Sequence, residues 1–230
     1  MKLSTREITM AGILGAITII LGFTYLGYIT LPTPAGAATL MHIPVIISGL
    51  VLGARVGALV GTIFGLSAIY YFLSIAPIWV LFPARPLIGV FAALSFQFFY
   101  RFLGKKKGKK YVILSVILSL IFFLMFLWIF RNYNIAISII LSFVIAVVIF
   151  YFLIRTDPLI SSMTFASIIG SMTNTVITLG LAVIFKIFNF QQALSIGILQ
   201  GIPEAIVAVF LCVPISIFLR RYIEANKKPT

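Results

Sequence analysis

The chain has 230 residues, 62% of them hydrophobic and only 9% charged, with a mean hydropathy of +1.23 and a formal net charge of +13. Soluble domains carry about 45 to 50% apolar residues, so this composition excludes a soluble globular protein and points to an integral membrane one. The single cysteine, Cys212, lies in an apolar run and excludes a disulfide framework.

The apolar runs are about 15 to 25 residues long, which points to helices: a spanning segment must satisfy its backbone internally, and the alternating ~10-residue pattern of a barrel does not occur. The first run covers residues 8–29, after Lys2 and Arg6. It is longer than the roughly 7 to 15 residues of a signal-peptide core, so a retained first helix is expected rather than a cleaved leader. Residues 39–52 and 56–73 follow, with Gly49, Gly53, Gly57, Gly61 and Gly65 at four-residue intervals. Such a stripe lets neighbouring backbones approach closely where lipid supplies no hydrophobic drive. Read as one helix, residues 39–73 would be about 52 Å long against a hydrocarbon core of ~30 Å. Arg55 would then be stranded in lipid, at a cost of at least about 2.5 kcal/mol. Two helices joined by a turn over residues 53–56 at the membrane surface are therefore expected.

Further spans are expected at residues 81–103, 111–130, 135–154, 159–187 and 193–219. The pair within 111–154 is almost wholly apolar. The 159–187 segment instead carries serines, threonines, Gly170 and Asn174, a composition suited to buried contacts and ligand bonds. The expected fold is an all-α integral membrane protein, one membrane domain over residues 1–230. It has six core helices (8–29, 39–52, 56–73, 81–103, 159–187, 193–219) and an inserted peripheral transmembrane hairpin (111–154), eight spans in total.

Charge parity supports the eight-span reading. With the N-terminus inside, fourteen of the 17 Lys and Arg residues face inward: Lys2, Arg6, Arg55, Arg101, Lys105, Lys106, Lys107, Lys109, Lys110, Arg155, Arg220, Arg221, Lys227 and Lys228. Only Arg85, Arg131 and Lys186 face outward, as the positive-inside rule requires. Fusing the glycine hairpin inverts this bias. The net charge is thus topological, facing cytoplasmic headgroups rather than a nucleic acid, and both termini are expected to be cytoplasmic.

The chain lacks the GxxxxGK[ST] phosphate loop, so any ATP must be hydrolysed by a partner. It has no HExxH pair or paired-carboxylate motif, which disfavours an intramembrane enzyme, although a serine nucleophile with an unusual base stays open. One histidine and four acids make a metal site implausible. No convincing internal repeat speaks for a self-sufficient secondary carrier.

Five stretches carry a family resemblance: His42-Ile43-Pro44-Val45-Ile46-Ile47, Leu52-Gly53-Ala54-Arg55-Val56-Gly57-Ala58, Phe64-Gly65-Leu66, Arg85-Pro86-Leu87-Ile88-Gly89-Val90 and Gly170-Ser171-Met172-Thr173-Asn174-Thr175-Val176. In order and spacing the chain resembles a substrate-binding S component of an energy-coupling factor (ECF) vitamin transporter, of the pantothenate-type subgroup. The resemblance implies a six-helix protein of the prokaryotic plasma membrane that binds a vitamin in its outer half. It implies no cofactor. It also implies docking through the first helices on a transmembrane T subunit driven by two ATPases, and toppling in the membrane to release the load. The 111–154 insertion departs from that pattern. Riboflavin, folate and thiamine precursors are the other vitamins to weigh.

Each candidate site residue has a plainer reading beside it. Arg85 can clamp a ligand carboxylate or snorkel to headgroups. Asn174 can bond a ligand amide or hydroxyl, or a neighbouring helix. Glu204 and Gln200 share a helix face at the i, i+4 spacing, and Glu204 suits an ion pair with Arg85 as well as ligand contact. His42 is expected to pack between helices or touch ligand, and Trp79, with Tyr70, to anchor the interface or cover the site from the outer turn 74–82. Thr173 and Thr178 are weaker candidates. In the first helix the resemblance assigns T-subunit docking to Ala11, Gly12, Gly15 and Ala16, against packing within the bundle.

Overall fold

With no water in the bilayer to take its amide groups, the chain satisfies them within helices. The computed structural model describes residues 3–24, 26–30, 37–72, 76–104, 108–130 and 135–226. Lys2, Lys105, Lys106, Lys107, Arg131, Lys227 and Lys228 of the charge count, part of the outer turn (residues 74–75) and the Tyr70 side chain lie outside the described residues.

Helix α1 (Thr5–Phe23) opens on a capping box: the Glu7 carboxylate accepts the Ser4 N–H at 2.7 Å and Ser4 Oγ accepts the Glu7 N–H at 3.3 Å. It ends short of the expected residue 29. The apolar residues beyond it enter a ribbon, β1 (Tyr28–Thr30) paired antiparallel with β2 (Ala37–Thr39), with Tyr28 opposite Thr39. Gly27 makes the exit: its N–H bonds back to Leu21 O, and its carbonyl takes the Leu40 N–H at 2.7 Å. Apolarity marked Tyr28 and Ile29 as membrane material, but pairing with β2 decides their conformation. Thr39, expected to begin the second helix, belongs to that ribbon.

Helix α2 (His42–Leu52) is buried at every position from His42 to Leu50. A helix that is apolar all round belongs inside a bundle, and that is why eleven residues suffice here. It stops at Gly53, whose φ of 93° and ψ of 178° suit glycine alone. Helix α3 (Ala54–Phe72) then returns, with Arg55 exposed at its start. Gly49 and Gly57 both lie against the backbone of Gly89, although eight residues of continuous helix would separate them by about 12 Å. The chain therefore folds back at Gly53.

The expected 81–103 helix is α5 (Ala84–Leu103), which starts three residues later and is preceded by a short helix, α4 (Ile78–Leu81), with Phe82 and Pro83 between them. Helix α8 (Pro158–Ile184) is 27 residues long. It gives way to α9 (Phe190–Ile196), which opens on an Asn189/Gln192 capping box, then to a π-helical turn (Gly197–Gly201) and α10 (Ile202–Ala225). The Arg220 guanidinium donates to Leu50 O at 3.1 Å, tying α10 to the end of α2, and lies 4.4 Å from the Phe96 ring centroid.

Among the described residues, six helical stretches are long and apolar enough to cross a membrane, and α2 and α3 supply two shorter apolar helices. This is an all-α membrane protein with one small ribbon. The chain forms two compact units, one of residues 1–96 and 163–230, the other of residues 97–162. Within the second, α6 (Lys109–Phe130) and α7 (Ile135–Arg155) pack on each other. Buried Ser115 and Ser119 return their hydroxyls to carbonyls one turn back, and Tyr111 Oη donates to Leu153 O at 2.5 Å. Leucines, isoleucines and valines cover the outside of this hairpin.

Candidate functional site

The glycine stripe of α3 sets the position of α5. A Cβ on Gly61 would fall on the Arg85 carbonyl oxygen and 2.8 Å from Pro86 Cα, and one on Gly65 would lie 3.3 Å from Arg85 Cβ. Only glycine permits this approach, and it sets Arg85 at the first turn of α5. On the other side Gly170 admits Ile46 and Ala92, with Ile46 Cγ1 2.9 Å from where a Cβ would be. That contact seats α8 against α2 and α5. Asn174 and Thr178 follow Gly170 at one-turn steps on the same face.

The result is a cluster around a buried cation. Arg85 is 4% exposed. Its Nη1 donates to Asn174 Oδ1 and to Thr178 Oγ1, each at 2.6 Å, and its Cζ lies 5.0 Å from the Phe64 ring centroid. The Nε–H is buried with no partner, and no described residue takes Nη2. The edge of the guanidinium formed by Nε and Nη2 is the one that receives a carboxylate side-on with two parallel bonds.

A cavity with about 670 Å³ of atom-free space, its mouth included, opens beside this cluster and has Arg85 in its wall. Its polar lining is Thr39, Arg85, Asn174, Thr175, Thr178, Gln200 and Glu204, and its apolar lining includes Val80, Leu81, Leu179, Ala182, Phe188 and Ile196. The mixture of a few convergent polar groups with an apolar wall suits a small metabolite. The π-helical turn serves it directly. Gly197 and Gly201 let the turn sit on Thr175, with Thr175 Cγ2 2.8 Å from a Cβ placed on Gly201, and this brings Gln200 and Glu204 to the wall. Glu204 accepts the Thr39 N–H at 2.5 Å, so the strand β2 and α10 meet at the cavity.

Four of the six expected site residues, Arg85, Asn174, Gln200 and Glu204, thus converge on one cavity. His42 and Trp79 do not line it. His42 is fully buried, with Nε2 3.3 Å from Ser171 Oγ, a packing position between α2 and α8. Trp79 is 57% exposed and packs its ring 6.4 Å from Phe185. Arg85 and Glu204 attract each other across the cavity without a direct hydrogen bond: Arg85 Nη1 bonds α8, and Glu204 is held by β2. Thr39 and Thr175 were not singled out in the sequence. Thr39 enters through a ribbon that hydropathy hides, and Thr175 was one of many hydroxyls in α8. Two of those return to their own helix, Ser162 to Pro158 O and Thr173 to Ile169 O.

The four small residues of α1 divide between two faces. Ala11 and Gly15 are buried, Gly15 against Ile63 of α3, whereas Ala16 is exposed and a Cβ on Gly12 would meet nothing within 4 Å.

A family model described as ECF transporter, substrate-specific component, matches residues 6–137, more than half of the chain. The chain belongs to that family. It is the substrate-specific membrane subunit of an ECF transporter, a multi-pass protein whose family serves transport. Comparison with curated proteins finds no match. The matched segment includes Arg85 and Thr39 of this S component but ends before Asn174, Gln200 and Glu204.

Proposed function

We propose that this S component captures a small carboxylate vitamin, of which pantothenate is the first candidate, in the cavity between α5, α8 and α10. The observation that carries the reading is Arg85: a buried guanidinium whose hydrogen-bond partners are both neutral and whose Nε–H is unpaired. A ligand carboxylate would supply a charged partner and take that N–H. Asn174 and Thr178 hold the guanidinium in place rather than compete for the ligand's charge. The apolar lining matches a short aliphatic body.

In this reading the protein carries out no chemistry. It presents the vitamin to a transmembrane T subunit powered by two ATPases, with its own termini in the cytoplasm of a prokaryotic cell. Docking on the T subunit falls to the outward face of α1, at Gly12 and Ala16, because Ala11 and Gly15 are occupied by packing.

The test is calorimetric titration of the purified chain with a panel of pantothenate, riboflavin, folate and thiamine precursors, with Arg85→Ala beside the wild type. Pantothenate binding weakened about a hundredfold or more by the substitution is the expected result. Tight binding of an uncharged vitamin, indifferent to Arg85→Ala, would overturn the carboxylate clamp.

A further inference from the structure

The cavity has a second pole, chemically opposite to the first. Arg85 offers only donors, whereas Glu204 offers an acceptor. One Glu204 oxygen takes the Thr39 N–H, and the other has no partner among the described residues. Glu204 is 7% exposed and its exposure is to the cavity wall it lines. No ion pair within bonding distance reaches it among the described residues, and the Arg85 guanidinium attracts it only through space while Nη1 bonds Asn174 and Thr178. A nearly buried carboxylate with an uncommitted oxygen is costly unless a donor arrives. The bond from Thr39 fixes the carboxylate beforehand, so a ligand group meeting it need not order it.

We infer that Glu204 is the specificity-determining residue of the cavity: it accepts a hydroxyl or N–H of the ligand and turns away a second anionic group. The substrate class is then a monocarboxylate that bears a hydrogen-bond donor at its far end. This rests on the proposed clamp at Arg85 and adds the second pole to it. Its physical basis is twofold. A site built to bond a donor discriminates strongly against an analogue lacking it, because the carboxylate oxygen is left unpaired. A ligand carboxylate brought near Glu204 meets like charge in a medium that screens poorly.

Three N-acyl-β-alanines of matched length test this on the full-length chain in detergent: the pentanoyl, 4-hydroxybutyryl and succinyl compounds, which end in methyl, hydroxyl and carboxylate. The wild type is expected to bind the hydroxyl compound about tenfold or more tighter than the methyl one, and the dicarboxylate weakest of the three. Glu204→Gln keeps an amide oxygen for the Thr39 N–H and removes the charge, so it should narrow the gap between hydroxyl and carboxylate compounds by about tenfold. A role in holding β2 alone would instead weaken all three equally and leave their order unchanged. That uniform loss, or equal binding of the three by the wild type, overturns the inference. If Glu204→Gln does not fold, the wild-type order decides by itself. Pantothenate binding that still depends on Arg85 in such a case leaves the clamp standing. Binding insensitive to Arg85→Ala, or no heat with pantothenate and all three compounds, overturns the clamp and the inference together.

Discussion

Arg85 shows how a residue costly to bury becomes usable. Two neutral hydrogen bonds and an aromatic face hold its guanidinium, and its Nε–H is left unpaired, which is the donor the proposed carboxylate would take. Arg85→Lys tests the fork apart from the charge. A lysine ammonium supplies a point charge but no planar edge, and carboxylate binding is expected to fall about tenfold while the protein remains folded, read by titration together with thermal unfolding. At this scale the sequence was informative about type and uninformative about direction. An intramembrane arginine, amide and carboxylate stand out because each needs a partner. Nothing local told that Arg85 meets Asn174 rather than Glu204, or that His42 turns to Ser171, because those pairings join residues up to 129 positions apart.

The glycines act at the scale of elements. Their four-residue spacing announced close packing, while segment length and Arg55 announced the break near Gly53, and the structure adds what they pack against: the backbone of α5, from Gly89 to Arg85. Gly61→Ala would drive a Cβ into the Arg85 carbonyl and displace the first turn of α5. Overpacking of this kind costs about 1 to 3 kcal/mol, and the expected outcome is a lowered unfolding temperature with loss of ligand binding. In α1 the two faces separate in the same way. Gly15→Leu must displace Ile63 and should destabilise the isolated subunit, whereas Gly12→Leu points into open space and should leave folding and vitamin titration unchanged. Weakened co-purification with the T subunit in Gly12→Leu alone would locate docking on the outer face; unaltered co-purification would remove Gly12 from it. The ribbon and the π-helical turn were the elements least legible beforehand. Both are short, and neither has a periodicity of its own in an apolar sequence.

For the whole molecule the proposed orientation follows from the distribution of positive charge. Arg55 lies exposed at the α2–α3 turn and Trp79 lies exposed before α5. Single cysteines in their places, Arg55→Cys and Trp79→Cys, should react with a membrane-impermeant thiol reagent from opposite sides of the cell membrane, the second from outside. Native Cys212 gives no background in this experiment, since it is fully buried. Labelling of both positions from the same side would refute the eight-span topology. Labelling with the sides exchanged would invert the proposed orientation and leave the fold untouched.

By itself the sequence determined the solvent in which this chain folds, the number and rough extent of its apolar helices, and the residues too polar to be idle there. Those are consequences of hydropathy, charge and glycine spacing, which act over one helix at a time. Only the tertiary structure decided which polar residues share a cavity, how the guanidinium is held with its Nε–H unpaired, and that a strand amide fixes Glu204. Those depend on helices far apart in sequence meeting at Gly61, Gly89, Gly170 and Gly201, where the absence of a Cβ lets two elements touch.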